Sequence, residues 1–257
     1  MPAPHRDPDL VAHGYAYVGH TGIFRVAEAE GRLAALACAI VRDGIWFLSG
    51  FWTDPARRLQ GIGGPLLREV WDEGRRRGAR SFYVWSSPDF PAIATYLKLG
   101  MLPGTQLFAF AGAAQTAPTD RAFRVEPLSA ARVADLDHAL VGVRRDGDHE
   151  YWLARDGARG RVVVNGGDLV GYYYVHEGTI GPVGWTTESA GEQVLRLAIG
   201  DASEAGRDVQ LTAPGTNHTA IRVALGSGLR LIRASHLLWT EPIGAMERYL
   251  PSGPLLF

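Results

Sequence analysis

One cysteine and one lysine occur in 257 residues, and no apolar run approaches the roughly 18 residues that would mark a membrane span. The single cysteine, Cys38, excludes an intrachain disulfide framework and a cysteine-rich metal site. It stands in the alternating apolar run Leu33–Val41 and reads as a buried core thiol. Charge of one sign is lacking too: 26 basic against 27 acidic side chains leave a net charge of -1. That balance gives no electrostatic case for nucleic acid or for an anionic membrane surface. No histidine pair has metal-ligand spacing, so no metal is expected. Residues 1–10 lack the apolar core of a signal peptide, and a cytoplasmic protein is expected. Arginine replaces lysine everywhere except Lys98, which reads as a trait of genome composition rather than of a site.

The composition present is that of a soluble globular protein, 46% hydrophobic and 21% charged, with room for one large domain or two small ones. Residues 1 to about 20 show no sustained period and read as a loose arm. Ile23–Ala27, Leu33–Val41 and Ile45–Thr53 are strand-like runs joined by turns at Glu30-Gly31 and Asp43-Gly44, the pattern of an antiparallel meander. Then comes Thr53-Asp-Pro-Ala-Arg-Arg-Leu-Gln-Gly-Ile-Gly-Gly-Pro65, a basic, glycine-rich turn that opens into a helix with Leu66, Leu67, Val70 and Trp71 on one face. Glycines 61, 63 and 64 bare the backbone, and a helix start leaves N–H groups without partners, so this turn suits a phosphate. It is neither a Walker loop nor a dinucleotide fingerprint. The arginines at 75–77 and 80 stand at the helix end, where their charge complements the dipole.

Arg58-x-x-Gly61-x-Gly63 resembles the pyrophosphate-binding signature of the GNAT superfamily of acyl-CoA N-acyltransferases. The following strand Phe82–Trp85, helix 91–100 and strand Leu107–Phe110 continue the order of a GNAT core. Ala92-x-x-x-Tyr96-x-Lys98-x-Gly100-Met101 is similar to that family's Ala-x-x-x-Tyr-x-Lys-x-Gly-Phe element. The resemblance implies acetyl-CoA as cosubstrate. The backbone N–H groups of Leu59, Gln60, Gly61, Ile62, Gly63 and Gly64 would hold its pyrophosphate, with Arg57 or Arg58 adding charge, and the backbone of Phe51, Trp52 and Thr53 would lie along the pantetheine. It also implies Tyr96 as the acid that protonates the departing thiolate. The base is missing, since neither Ile45–Thr53 nor Phe82–Ser86 contains an acid. Residues 148–152, with Asp148, His149 and Glu150, form the densest titratable group elsewhere and read as charges solvating a strand end.

The element order recurs after a linker at 114–120: a hairpin through Asn165-Gly-Gly-Asp168, a helix from about Glu192, a strand Val209–Thr212 and a last strand Ser235–Trp239. Residues 92–101 align without gaps onto 220–229, with Ala224 in place of Tyr96 and no phosphate signature before it. The expected fold class is α+β with a mixed sheet. It comprises two tandem GNAT-like domains, 1–113 binding acetyl-CoA and apparently lacking the family's first strand and helix, and 121–257 with a degenerate cofactor site. The expected activity is acetylation of a primary amine on a small molecule or peptide. The alternative is a CoA-binding or interaction module without catalysis. With so short a front wall, acceptor selection falls to the second half or to the partner chain of a homodimer.

Overall fold

The computed structural model describes residues 8–257, among which twelve strands and seven helices occur. Helix α1 (Pro8–Thr21) replaces the expected loose arm from residue 8 onward, and residues 1–7 of that arm lie outside the described residues. Its period is hidden by Gly14 and Gly19, and Gly14 is there for contact: a Cβ would stand 2.1 Å from the Leu255 side chain of the C-terminal segment. Val18, fully buried, pins the helix to the sheet, so tertiary packing overrides weak local propensity.

The meander follows as expected, with β1 (Ile23–Ala29), β2 (Arg32–Arg42) and β3 (Ile45–Thr53). Both of its turns hold two successive residues at positive φ, Glu30-Gly31 and Asp43-Gly44, which matches the right-handed twist of the flanking strands. Helix α2 (Gly63–Arg76) buries Leu66, Leu67, Val70 and Trp71 on the meander, each worth about 1.5–3 kcal/mol on burial. Gly74 completes that face, because its bare Cα admits the Trp46 indole, whose Nε1 donates to Val70 O at 3.3 Å. Strand β4 (Ser81–Ser86), helix α3 (Phe90–Lys98) and strand β5 (Leu102–Gly112) complete the first half.

The second half runs β6 (Phe123–Pro127), α4 (Ala130–Val141), α5 (Asp146–Ala154), β7 (Arg159–Asn165), β8 (Asp168–His176) and β9 (Thr179–Trp185). It continues with α6 (Glu188–Ala202), β10 (Val209–Pro214), α7 (His218–Gly226), β11 (Arg230–Trp239) and a short β12 (Tyr249–Leu250). The two halves share one sheet, in the order β1-β2-β3-β4-β11-β5-β10-β9-β8-β7-β6. Each half therefore gives its last long strand to the other. β11 lies between β4 and β5, and β5 lies between β11 and β10, with antiparallel pairing at each contact. The parallel pair β3–β4 has its counterpart in β9–β10.

One face of this sheet carries α1, α4, α5 and the C-terminal segment, through Val18, Val133, Leu140, Trp152 and Phe257. The other carries α2 and α3 over the first half and α6 and α7 over the second. Strand residues alternate between the two: Phe47 and Tyr83 face α1, whereas Trp46, Leu48, Phe82 and Val84 face α2.

Candidate active site

The site begins where two parallel strands part. β3 and β4 pair from Ile45 opposite Ser81 to Leu48 opposite Val84, and no further. The separation starts at a bulge: across β2, Ala39 faces Leu48 and Cys38 faces Gly50, so Ser49 is an extra residue that bends β3 away. Beyond it β3 stays paired to β2 as far as Thr53, and β4 stays paired to β11 through Trp85 and Ser86. The fork thus has backbone edges facing an open slot, 49–53 on one side and 85–86 on the other. Ser49 is 6% exposed, and its hydroxyl has no hydrogen-bond partner among the described residues. A buried orphan hydroxyl at an open slot is costly unless a bound group completes it.

On the α2 face the glycine-rich turn caps this slot. Asp54 accepts from Ala56 N at 3.0 Å and starts a single 3-10 turn over Pro55–Arg57. Gln60 Nε2 donates to Ala56 O at 3.0 Å, so its amide braces the turn. Leu59 and Gly61 take φ of 63° and 83°, which rolls the backbone over before α2. Ile62 caps α2 without a side-chain hydrogen bond, leaving first-turn N–H groups open. The three glycines divide into two roles. Nothing lies within 4 Å of a Cβ built at Gly61 or Gly64, whereas one at Gly63 would stand 3.0 Å from Phe51 Cζ and from Thr53 Oγ1. Gly61 and Gly64 keep the outer surface bare, and Gly63 lets α2 close on β3. Arg57 pairs with Glu30 at 2.6 Å, and Arg58 pairs with Asp89 at 3.2 Å while staying more than half exposed. Bare backbone, a free helix start and an exposed guanidinium fit a pyrophosphate, and the slot beside them fits a pantetheine arm.

Tyr96 projects from α3 into the same core, 4% exposed, with its ring edge-on to Phe51 at 6.3 Å between centroids. Burial, with the charge of Asp89 adding to it, pushes its phenol pKa well above the ordinary value. It stays protonated and able to donate at any physiological pH. Phe51 and Thr53 share the α2 face with Tyr96, whereas Trp52, 40% exposed, lies on the α1 face.

The corresponding slot of the second half is filled. β9 and β10 pair only at Thr179–Gln210 and Ile180–Leu211, and past that point β12 lies along β9, Tyr249 opposite Gly184 and Leu250 opposite Val183. Arg248 Nη1 secures this strand by donating to Thr186 O at 2.8 Å. At the start of α6 the Thr187 hydroxyl accepts from Ala190 N at 3.3 Å, and Glu188 puts a negative charge in the first turn. An anion would meet a capped helix start and a carboxylate. Ala224, fully buried, stands at the position aligned with Tyr96.

The 148–152 group does not solvate a strand end. It lies in α5, with Asp148 and His149 buried. The reason is a buried polar network that surrounds them. Arg145, 5% exposed, forks onto Asp137 with two hydrogen bonds of 2.7 Å and donates to Tyr249 Oη at 2.9 Å. Tyr172 also donates to Asp137. Tyr174 Oη is 2.8 Å from His149 Nδ1, and His149 Nε2 is 3.0 Å from Asp137 Oδ2, near but poorly aligned for a hydrogen bond. Burial would raise the Asp137 pKa, but Arg145 outweighs it and holds the carboxyl well below the usual range. Asp148 in turn takes Arg42 at 2.8 Å and Tyr17 at 2.8 Å. Arg42 stands at the Ile45 end of β3, and the fork opens at the Thr53 end, so this network supplies no base to the slot.

Sequence reasoning missed Tyr15, set aside with the arm, and Ser49, whose bulge has no local signature. A Cβ at Gly50 would lie 3.0 Å from Tyr15 Cε1 and 3.1 Å from its hydroxyl, so α1 lays a phenol directly on the fork.

Residues 2–101 match the Acetyltransferase (GNAT) family. No curated protein matches the sequence. Among solved structures, a Pyrococcus horikoshii protein assigned as an acetyltransferase superposes with a TM-score of 0.82 at 14% identity, over 99% of this chain and 87% of that one. A GCN5-related N-acetyltransferase from Sphaerobacter thermophilus gives 0.65 at 16% identity, over 94% and 88%. A tandem GNAT protein from the clavulanic acid biosynthesis pathway gives 0.61 at 14% identity, over 94% and 90%. At these identities the likeness is one of fold.

Proposed function

We propose that this chain, whose residues 2–101 match the GNAT acetyltransferase family, transfers an acetyl group from acetyl-CoA to a primary amine of a small molecule or peptide. The observation that carries this reading is the open fork lying beside an uncapped, glycine-bared helix start on the same face. Acetyl-CoA supplies the acyl group already activated as a thioester. The N–H groups of residues 59–64 and the Arg58 guanidinium hold its pyrophosphate, and the free edge of β3 at Phe51–Thr53 orients the arm. Tyr96 donates its phenolic proton to the sulfur as charge builds there. No carboxylate stands on the fork strands, so the amine gives up its extra proton to water before attack.

Calorimetric titration of the intact protein with acetyl-CoA tests the reading. One equivalent should bind, and Gly64→Glu should abolish binding without unfolding the chain, because that position faces open space. No binding by the unaltered protein at sub-millimolar cofactor would overturn it. The missing carboxylate favours one second reading, a CoA-binding module without turnover. Thiol release on any amine of a broad panel removes that alternative.

A further inference from the structure

The two faces of the fork differ in character. The α2 face is filled by Phe51, Thr53, Tyr96 and the glycine turn. The α1 face is walled by aromatic rings: Tyr15 against Gly50, Trp52, and Trp85, the first residue of β4 beyond its last pair with β3. Trp85 is half-buried and held, since its Nε1 donates to Ser235 Oγ at 2.7 Å. Ser235, 5% exposed, donates in turn to Leu107 O at 3.4 Å. Ser235 belongs to β11, the strand that the second half lends to the first, so this wall is incomplete without the distant end of the chain.

Charge on this face is one-sided. Residues 49–53, 85–86 and 234–236 include no acid. Arg233 and Arg230, opposite Ala109 and Ala111, continue the Ser235 side of β11, and both are exposed without an ion pair among the described residues. Among these described segments a second positive charge on an acceptor would find no carboxylate, and further along the same side of β11 it would meet two guanidinium groups. An apolar ring would find three aromatic partners, whose faces also tolerate a single ammonium.

Resting on the acetyl transfer proposed above, we infer that the acceptor sits on the α1 face of the fork against Tyr15, Trp52 and Trp85. The class it takes is a primary amine with a single positive charge on an aromatic or otherwise apolar carbon body. Ser235 acts as a positioning residue that fixes the Trp85 ring.

The test uses the intact protein at saturating acetyl-CoA, with 2-phenylethylamine and spermidine as probes and thiol release as readout. The expected kcat/KM for 2-phenylethylamine exceeds that for spermidine by about tenfold or more, the scale of one aromatic contact plus an unpaired charge. Trp85→Leu should raise KM for 2-phenylethylamine about tenfold while acetyl-CoA affinity is unchanged, and Trp85→Phe should restore most of the loss. Should Trp85→Leu lose acetyl-CoA binding, Ser235→Ala, which removes only the hydroxyl holding the ring, carries the test with a smaller rise in KM. Equal or better use of spermidine overturns the inference, as does an unchanged KM in Trp85→Leu and Ser235→Ala. So does a protein that binds acetyl-CoA yet never turns over 2-phenylethylamine, an outcome that leaves the cofactor reading standing. Failure to bind acetyl-CoA overturns the function itself, and the inference with it.

Discussion

Tyr96 is a weak acid made weaker by its surroundings, and that sets its expected behaviour. Its raised pKa keeps the phenol protonated through the whole range in which an acceptor amine loses its proton. Loss of the acid should therefore cause no fall in kcat between pH 7 and pH 10, and the rate should rise as the amine is freed. A pH-rate profile with a descending alkaline limb below about pH 9, absent from Tyr96→Phe, would show a phenol titrating far lower than its burial allows. Tyr96→Phe itself should slow transfer about a hundredfold while acetyl-CoA affinity is kept, since the proton matters only as thiolate forms. A mutant retaining more than half the rate, with chemistry limiting, would reduce Tyr96 to a packing residue. At this scale the sequence was readable where two motifs fixed each other's register, which is why Arg58 and the glycines lie on one face with Tyr96. It was unreadable where the shape of the fork depends on a single inserted residue or on a ring brought from elsewhere. Three glycines in one short turn look alike as letters, yet only Gly63 is needed for packing, so Gly64→Glu is the cleaner probe of cofactor binding. Cys38, by contrast, behaves as its alternating apolar context implies: burial pushes its thiol up to about 12, and alkylation at pH 8 should leave it intact in the folded protein.

Elements with strong periods were legible, and those stabilised by distant partners were not. The meander, α2 and the hairpin at Gly166-Gly167 follow from alternation and turn chemistry alone. Helix α1 owes its place to Val18 and to a glycine seat for Leu255, a contact spanning nearly the whole chain. Helix α5 hides its burial because Asp148 and His149 look solvent-facing until Arg42 and Tyr17 are seen to meet the first, and Tyr174 and the Asp137–Arg145 pair to flank the second. That network predicts a specific cost. Asp137→Ala leaves Arg145 buried without its countercharge, and breaking a buried pair from one side typically costs about 3–5 kcal/mol. Urea unfolding should show the loss, whereas acetyl-CoA affinity measured well below the transition should hold. The pH dependence has a definite sign. The Asp137 pKa is depressed in the folded state, so its stabilisation is full above the unfolded value near 4 and drains away as pH falls below it. Wild-type stability should drop below about pH 4 more steeply than that of Asp137→Ala, and parallel acid curves for the two proteins would contradict this.

At the level of the whole molecule, the exchange of β5 and β11 decides how the halves depend on each other. The duplicated order of elements could be read from the sequence, because each half repeats the same local patterns. The exchange could not, since nothing local in 102–112 or 230–239 says which half a strand joins. Its energetic consequence is direct. A fragment ending at residue 113 would keep β5 but lose both neighbours of that strand, β10 and β11, the second of which also covers β4. Leu107 and Phe110, buried in the intact chain, would be exposed on a ribbon with two open edges, which is a template for aggregation or for pairing with a second copy. It would also lose Phe257, which packs on Phe47 and Tyr83 at centroid distances of 5.6 Å and 5.2 Å. The intact chain should consequently unfold in one cooperative step. Fluorescence of the tryptophans, which lie in both halves, and far-ultraviolet circular dichroism should give coincident urea transitions. The fragment 1–113 should be insoluble or dimeric, and its acetyl-CoA binding should be lost or appear only in the dimer. A monomeric fragment that binds acetyl-CoA with the affinity of the intact protein would mean that the shared sheet contributes nothing to the fork. The strand lent by the second half would then be packing alone, and the acceptor wall built on Ser235 would lose its reason to exist.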